Sequence, residues 1–158
     1  MEEISAENFA ELERRYRMTA IVVLAQIATT IILIIFGWFY AANSENAVMP
    51  RSLMTLWIAV VFIAVGTFVL RRMLNQWERL KNIKLSKGIS GLLTTLQTNA
   101  IVLGAVAETI AVIGFLIAVL GGIKSDMFRA GAVALIVFLI NFPRKSVWKK
   151  IVANLESV

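Results

Sequence analysis

Four long runs of apolar residues, each closed by polar or helix-breaking positions, organise this chain: about 18–40, 52–70, 92–120 and 125–142. An α-helix rising about 1.5 Å per residue needs roughly 20 such residues to cross ~30 Å of hydrocarbon. The pattern predicts four transmembrane helices. In the fourth run Arg129 and Pro143 shorten the clean apolar part, so Arg129 is expected to snorkel to the interface. Between the runs the polar segments are short. The expectation is an all-α polytopic membrane protein, one membrane domain over 1–158, built as two antiparallel hairpins with short amphipathic helices at about 5–17 and 143–155.

Local signals refine these elements. Ser5 is placed to cap a leading helix, Glu11–Arg15 and Glu13–Arg17 are spaced for i,i+4 pairing, and Phe9, Leu12 and Tyr16 share a face. This reads as an interfacial helix feeding the first span. The acids Glu2, Glu3, Glu7, Glu11 and Glu13, and the length of the run after them, are not those expected of a secretory signal peptide. Phe36, Trp38, Phe39 and Tyr40 form an aromatic belt before the polar loop Asn43-Ser44-Glu45-Asn46, and Pro50 introduces the second span. That span is expected to continue through Trp77 and Lys81 to a turn at Ser86-Lys87-Gly88. Gly121-Gly122 should end the third span, with Ser125-Asp126 capping the fourth. Pro143 suits the first turn of a tail helix. Its apolar face, Val147, Trp148, Ile151, Val152 and Leu155, is expected on the lipid surface, opposite Lys145, Lys149 and Lys150.

Composition supports the membrane reading: 59% of 158 residues are hydrophobic, 16% are charged, and mean hydropathy is +0.79. Cysteine and histidine are absent, which excludes disulfides, thiol nucleophiles and histidine-based triads. The basic residues flank the apolar runs. Thirteen lie in the N-terminal segment, the middle connection and the C-terminal tail, and three (Arg51, Lys124, Arg129) on the other side. By the positive-inside rule both termini and the middle loop are cytoplasmic, in the inner membrane. Arg71, Arg72, Trp77, Arg79 and Lys81, with Trp148, Lys149 and Lys150, read as interface anchors meeting anionic lipid. Nucleic acid is not an expected partner.

One ionisable side chain lies deep in a run: Glu108. An acid at that depth costs about 2.5–3.5 kcal/mol on insertion scales, so it marks a functional candidate. Around it runs a seam of small residues, Ala100, Gly104, Ala107, Ala111, Gly114, Ala118 and Gly121, spaced 4, 3, 4, 3, 4, 3. Small residues let helix backbones approach closely, and the 3.5-residue pitch favours a left-handed crossing. The third span is therefore the interior or interfacial helix. Glu108 sits on the flank of the seam, with Gln97 on the same face and Thr109 adjacent. Gln26, Thr29 and Thr30 of the first span are available polar neighbours, Thr29 and Thr30 at a similar depth. With no intramembrane Lys or Arg as counter-ion, Glu108 is expected to be protonated or to hold a bound cation.

The segment 96–115, with Ala107-Glu108 at mid-span, Thr109 after the acid and Gly114 six residues on, resembles the second helix of rotary-ATPase c subunits, the proteolipids. The turn Ser86-Lys87-Gly88 falls where that family has its cytoplasmic loop. The resemblance, over about residues 86–121, implies a ring-forming hairpin whose acid carries H+ or Na+, with the hydroxyl of Thr109 and a Gln such as Gln26 as further ligands. The chain departs from the family in having only Gly66 over Leu53–Leu70 and no Arg-Gln-Pro loop motif. As a whole it is also similar to small bacterial four-span membrane proteins. The expected function is a non-enzymatic membrane subunit, a homo-oligomer associating through the small-residue seam or part of a larger complex. Its ion site would be Glu108, Thr109, Gln97, Gln26 and Thr30, with no cofactor beyond H+ or Na+. The alternative is an accessory subunit in which Glu108 is a protonated packing element. A single buried acid without base, nucleophile or metal cluster does not make an enzyme site.

Overall fold

Five helices follow one another: α1 (Ala6–Ala41), α2 (Pro50–Leu74), α3 (Trp77–Gly121), α4 (Lys124–Asn141) and α5 (Lys145–Glu156). The structure, a computed structural model, describes residues 5–41 and 50–156. The predicted loop at Asn43-Ser44-Glu45-Asn46 and the acids Glu2 and Glu3 lie outside the described residues. Four stretches, Ala6–Ala41, Leu53–Leu74, Trp77–Gly121 and Lys124–Leu155, are long and apolar enough to cross a membrane. Among the described residues there is no strand.

Helix α3 is the hub. In its most apolar stretch 39% of residues are buried, against 17% for α1 and for α2, and it packs on all four other helices. All seven small residues of its seam are buried within this one chain. Gly104 faces Gln26 of α1, Gly114 faces Ala130 of α4, and Gly121 faces Leu53 of α2. The seam therefore packs α3 against its own neighbours and is covered within the chain. Helix α1 answers with a heptad of its own: Leu12, Tyr16, Thr19, Val23, Gln26, Thr30, Leu33 and Gly37 are buried or half-buried at spacings of 4 and 3. This row forms the α1 side of the long α1–α3 contact and meets the small-residue seam at Gly104.

Several boundaries differ from the sequence reading. The leading segment is no separate interfacial helix; it is the first third of α1, capped by the Ser5 hydroxyl accepting from the Asn8 amide at 3.4 Å. Helix α2 stops at Leu74 and does not continue through Trp77 and Lys81. The Asn99 amide donates to the Leu74 carbonyl (3.0 Å), and Gln76 is extended (φ −64°, ψ 130°), so the chain turns aside there. The arm Trp77–Lys87 then folds back to bury Leu80 against Leu92, Leu93 and Leu96. At Gly88 the backbone leaves helical geometry (φ 70°, ψ −172°), a region open to glycine, and redirects the chain into the long part of α3. Gly91 completes this bend, since a side chain there would strike the Lys87 Cβ. Gly122 in left-handed geometry (φ 65°) ends α3. Ser125 and Asp126 do not cap α4; Ile123 occupies the N-cap and Asp126 sits in the first turn, 3.5 Å from the exposed Arg129. Pro143 precedes α5 by two residues instead of lying in its first turn, and its carbonyl accepts the Tyr16 hydroxyl.

At roughly 1.5 Å per residue, α1 and α3 run well past ~30 Å of hydrocarbon. Their overhanging ends form a second core with α5: Leu12, Leu80, Leu92, Leu96, Trp148, Val152 and Leu155. The apolar face of α5 thus covers protein, not a lipid surface, because Leu12 and Leu92 offer it a closer apolar partner. Trp148 is only 4% exposed and meets Tyr16 edge-on at 5.8 Å. Lys145 pairs with Glu13, and the Lys149 ammonium lies 4.6 Å from the Phe9 ring centre. Glu11 accepts from Ser90 and Arg15, each at 2.8 Å. The Ser90 hydroxyl, then the Arg15 guanidinium, hold the Glu11 carboxyl below the usual glutamate range. The Lys145 ammonium does the same for Glu13, so the expected Glu13–Arg17 pair gives way to Glu13–Lys145.

Candidate functional site

Helices α1 and α3 run parallel and in register. Arg15 donates to Ser90, Gln26 to the Ile101 carbonyl, and Gly37 lies against Phe115, pairs 75 to 78 residues apart in sequence. The same offset sets Thr30 at the level of residues 105–108. Ile101, Gly104 and Glu108 fall on one side of α3, since steps of three, four and seven residues return to nearly the same face. Gln26 and Thr30, four apart, do the same on α1. The interface thus carries Gln26 over Gly104 and, one turn further along, Thr30 at the level of Glu108.

The polar atoms here are incompletely paired. The Gln26 carboxamide lies where a side chain at 104 would be, so only glycine leaves room for it. Its nitrogen donates to Ile101 at 3.4 Å, while its Oε1 is buried without a hydrogen-bond partner. Thr30 is fully buried and its hydroxyl oxygen is also unpartnered. Thr19, Thr29, Thr67 and Thr109, by contrast, each donate to the carbonyl four residues back, at 2.7–3.1 Å. Glu108 is half-buried and forms no hydrogen bond or ion pair with the described residues. Buried polar atoms in native proteins are nearly always satisfied, so two orphan oxygens in one interface at the level of an acid are a specific feature.

Of the five residues expected to hold an ion, the register sets Gln26 against Gly104 and Thr30 at the level of residues 105–108, the turn that carries Glu108. It does not bring in the other two. Gln97 is half-buried but eleven residues away along α3, about 16 Å, too far to share a ligand. Thr109 is exposed, its hydroxyl committed to Ala105. Among the anchors, Arg72, Trp77, Arg79 and Lys150 are exposed and Lys81 is half-exposed. Arg71 turns inward and donates to the Ile140 carbonyl at 2.7 Å, Trp148 is buried in the protein core, and Lys149 is half-buried over the exposed Phe9 ring. Sequence reasoning passed over Asn99, a buried amide that terminates α2. Its signal was its place one residue before the first Ala of the seam.

No family model, no curated protein and no solved structure matches the chain.

Proposed function

We propose that the chain is a small non-enzymatic subunit of the inner membrane in which Glu108, Gln26 and Thr30 hold a proton or monovalent cation at mid-depth. Its spans are arranged as two antiparallel hairpins with both termini cytoplasmic. The excess of basic residues supports that orientation. So do the Glu13–Lys145, Arg15–Ser90 and Arg71–Ile140 contacts, which gather the basic segments at one end of the bundle.

The observation that carries the ion reading is the pair of buried, unpartnered oxygens of Gln26 and Thr30 at the level of Glu108. Neutral oxygens plus one carboxylate, without a competing cation, are the donor set a monovalent ion or a shared proton requires. The proteolipid resemblance of segment 96–115 points to the same chemistry. A ring of such subunits would need a different surface, since the small-residue seam is covered inside the chain. Association with further copies or a larger complex would run over the outer face of α3 beside Glu108, where Val102, Ala105, Thr109 and Val112 are exposed.

A second reading has its own support. The Gln26–Ile101 bond already stitches α1 to α3, and a protonated Glu108 would add a donor to that stitch. Carbodiimide labelling of the purified protein separates the two. Under the ion reading Glu108 reacts, sodium or high pH suppresses the labelling, and Glu108→Gln removes it while the fold survives. Labelling insensitive to sodium and to pH between 6 and 9 rejects the ion reading and leaves the packing role.

A further inference from the structure

Where α2, α3 and the α4–α5 junction meet at the basic end, they frame a half-open cavity of about 440 Å³. Arg71, Arg72 and Arg144 line it together with Asn75, Asn99 and Asn141, and no acidic residue does. Among the described residues none of the three arginines is in an ion pair. Arg71 is held in place by its bond to the Ile140 carbonyl, which uses one of five guanidinium N–H groups. The Asn141 amide nitrogen is committed to Val137, and its oxygen is buried without a partner.

An apolar track leads away from this cavity along α2. Met54, Trp57, Ile58, Val61, Phe62 and Val65 line a furrow of about 500 Å³. At 100° per residue, positions 54, 58, 61, 65, 68, 72 and 75 stay within about 60° of one line down the helix. Phe68, 52% exposed, joins the furrow to the arginines. From Arg72 back to Ile58 is about 21 Å of helix.

We propose that this is a binding site for one anionic phospholipid. The phosphodiester lies among Arg71, Arg72 and Arg144, and an acyl chain follows the α2 furrow. Basic pockets between spans at the cytoplasmic surface suit such headgroups. Phosphatidylglycerol supplies the required anionic phosphate.

The experiment is lipid exchange into the full chain in neutral detergent micelles, read by native mass spectrometry. Phosphatidylglycerol and phosphatidylcholine of matched chain length are compared, with glycerol phosphate as the chain-free competitor. Phosphatidylglycerol should bind at least tenfold tighter than phosphatidylcholine. Arg72→Gln, exposed and without a structural bond, should lose about fivefold, and the triple Arg→Gln variant roughly a hundredfold. Lys87→Gln, on the exposed arm, should leave binding unchanged. Equal binding of the two lipids, or an unchanged Arg72→Gln, overturns the site. Full competition by glycerol phosphate overturns the lipid assignment in favour of a soluble phosphate ester. If the triple variant does not fold, the Arg72→Gln and Lys87→Gln pair alone decides.

Discussion

Gly114 meets Ala130 with no flexible side chain between the two helices, and replacing that glycine by alanine gives the sharpest test of the packing. A methyl group at 114 would overlap the Ala130 methyl, with the Ala130 Cα at 3.6 Å behind it. Carbon atoms pack best near 3.5–4.0 Å, so α3 and α4 must part by about 1 Å, and no flexible side chain can yield in their place. Overpacking of this kind costs about 1–3 kcal/mol. The built-in control is Gly66 on α2, where an added methyl meets nothing within 4 Å. There the same substitution should gain up to about 1 kcal/mol from helix propensity. Removing the opposing methyl with Ala130→Gly should rescue Gly114→Ala, with a coupling of about 1–2 kcal/mol in a double-mutant cycle. The measurement is reversible unfolding in mixed micelles, followed by tryptophan fluorescence. Equal stabilities for Gly114→Ala and Gly66→Ala, or additive effects at 114 and 130, would refute the α3–α4 geometry.

Three further perturbations follow from the basic end of the bundle. Gly88→Ala places a side chain at φ 70°, which costs about 1–2 kcal/mol, and should loosen the 77–87 arm; trypsin should then cut faster at Lys81, Lys84 and Lys87. Trp148→Ala should lose about 3–5 kcal/mol in the same unfolding assay, whereas a tryptophan anchored in lipid would cost far less. Glu11 and Glu13 have folded-state pKa values below the ordinary 4.5. Their contribution to stability is therefore complete above about pH 4.5 and fades as the pH falls through the lowered values. Ser90→Ala removes the largest cause for Glu11, so its acid-induced loss should be smaller and should level off at higher pH in a stability profile from pH 3 to 6.

The long helices were legible because apolar runs of that length have few other uses, and the 4,3 spacing of small residues identified α3 as the hub. What the sequence concealed depended on tertiary partners. Nothing local ends α2 at Leu74; the amide of Asn99, 25 residues later, and the burial of Leu80 do so. The apolar stripe of α5 reads the same whether it meets lipid or protein, and only the overhanging ends of α1 and α3 decide which. Within the candidate site, Glu108 was conspicuous as the lone deep acid. Gln26 and Thr30 could be offered only as neighbours, because choosing between them and Gln97 or Thr109 required the α1–α3 register.

That register also dictates an order of assembly. Helix α1 finds its principal partner some 75 residues further along the chain, so it must wait while α2 and the 77–87 arm are synthesised. During that interval Gln26 and Thr30 face acyl chains instead of α3, a state that favours early capture by an insertion chaperone or prompt closure once Glu108 leaves the ribosome. A nascent chain stalled after α2 should accordingly be degraded faster than one stalled after α3.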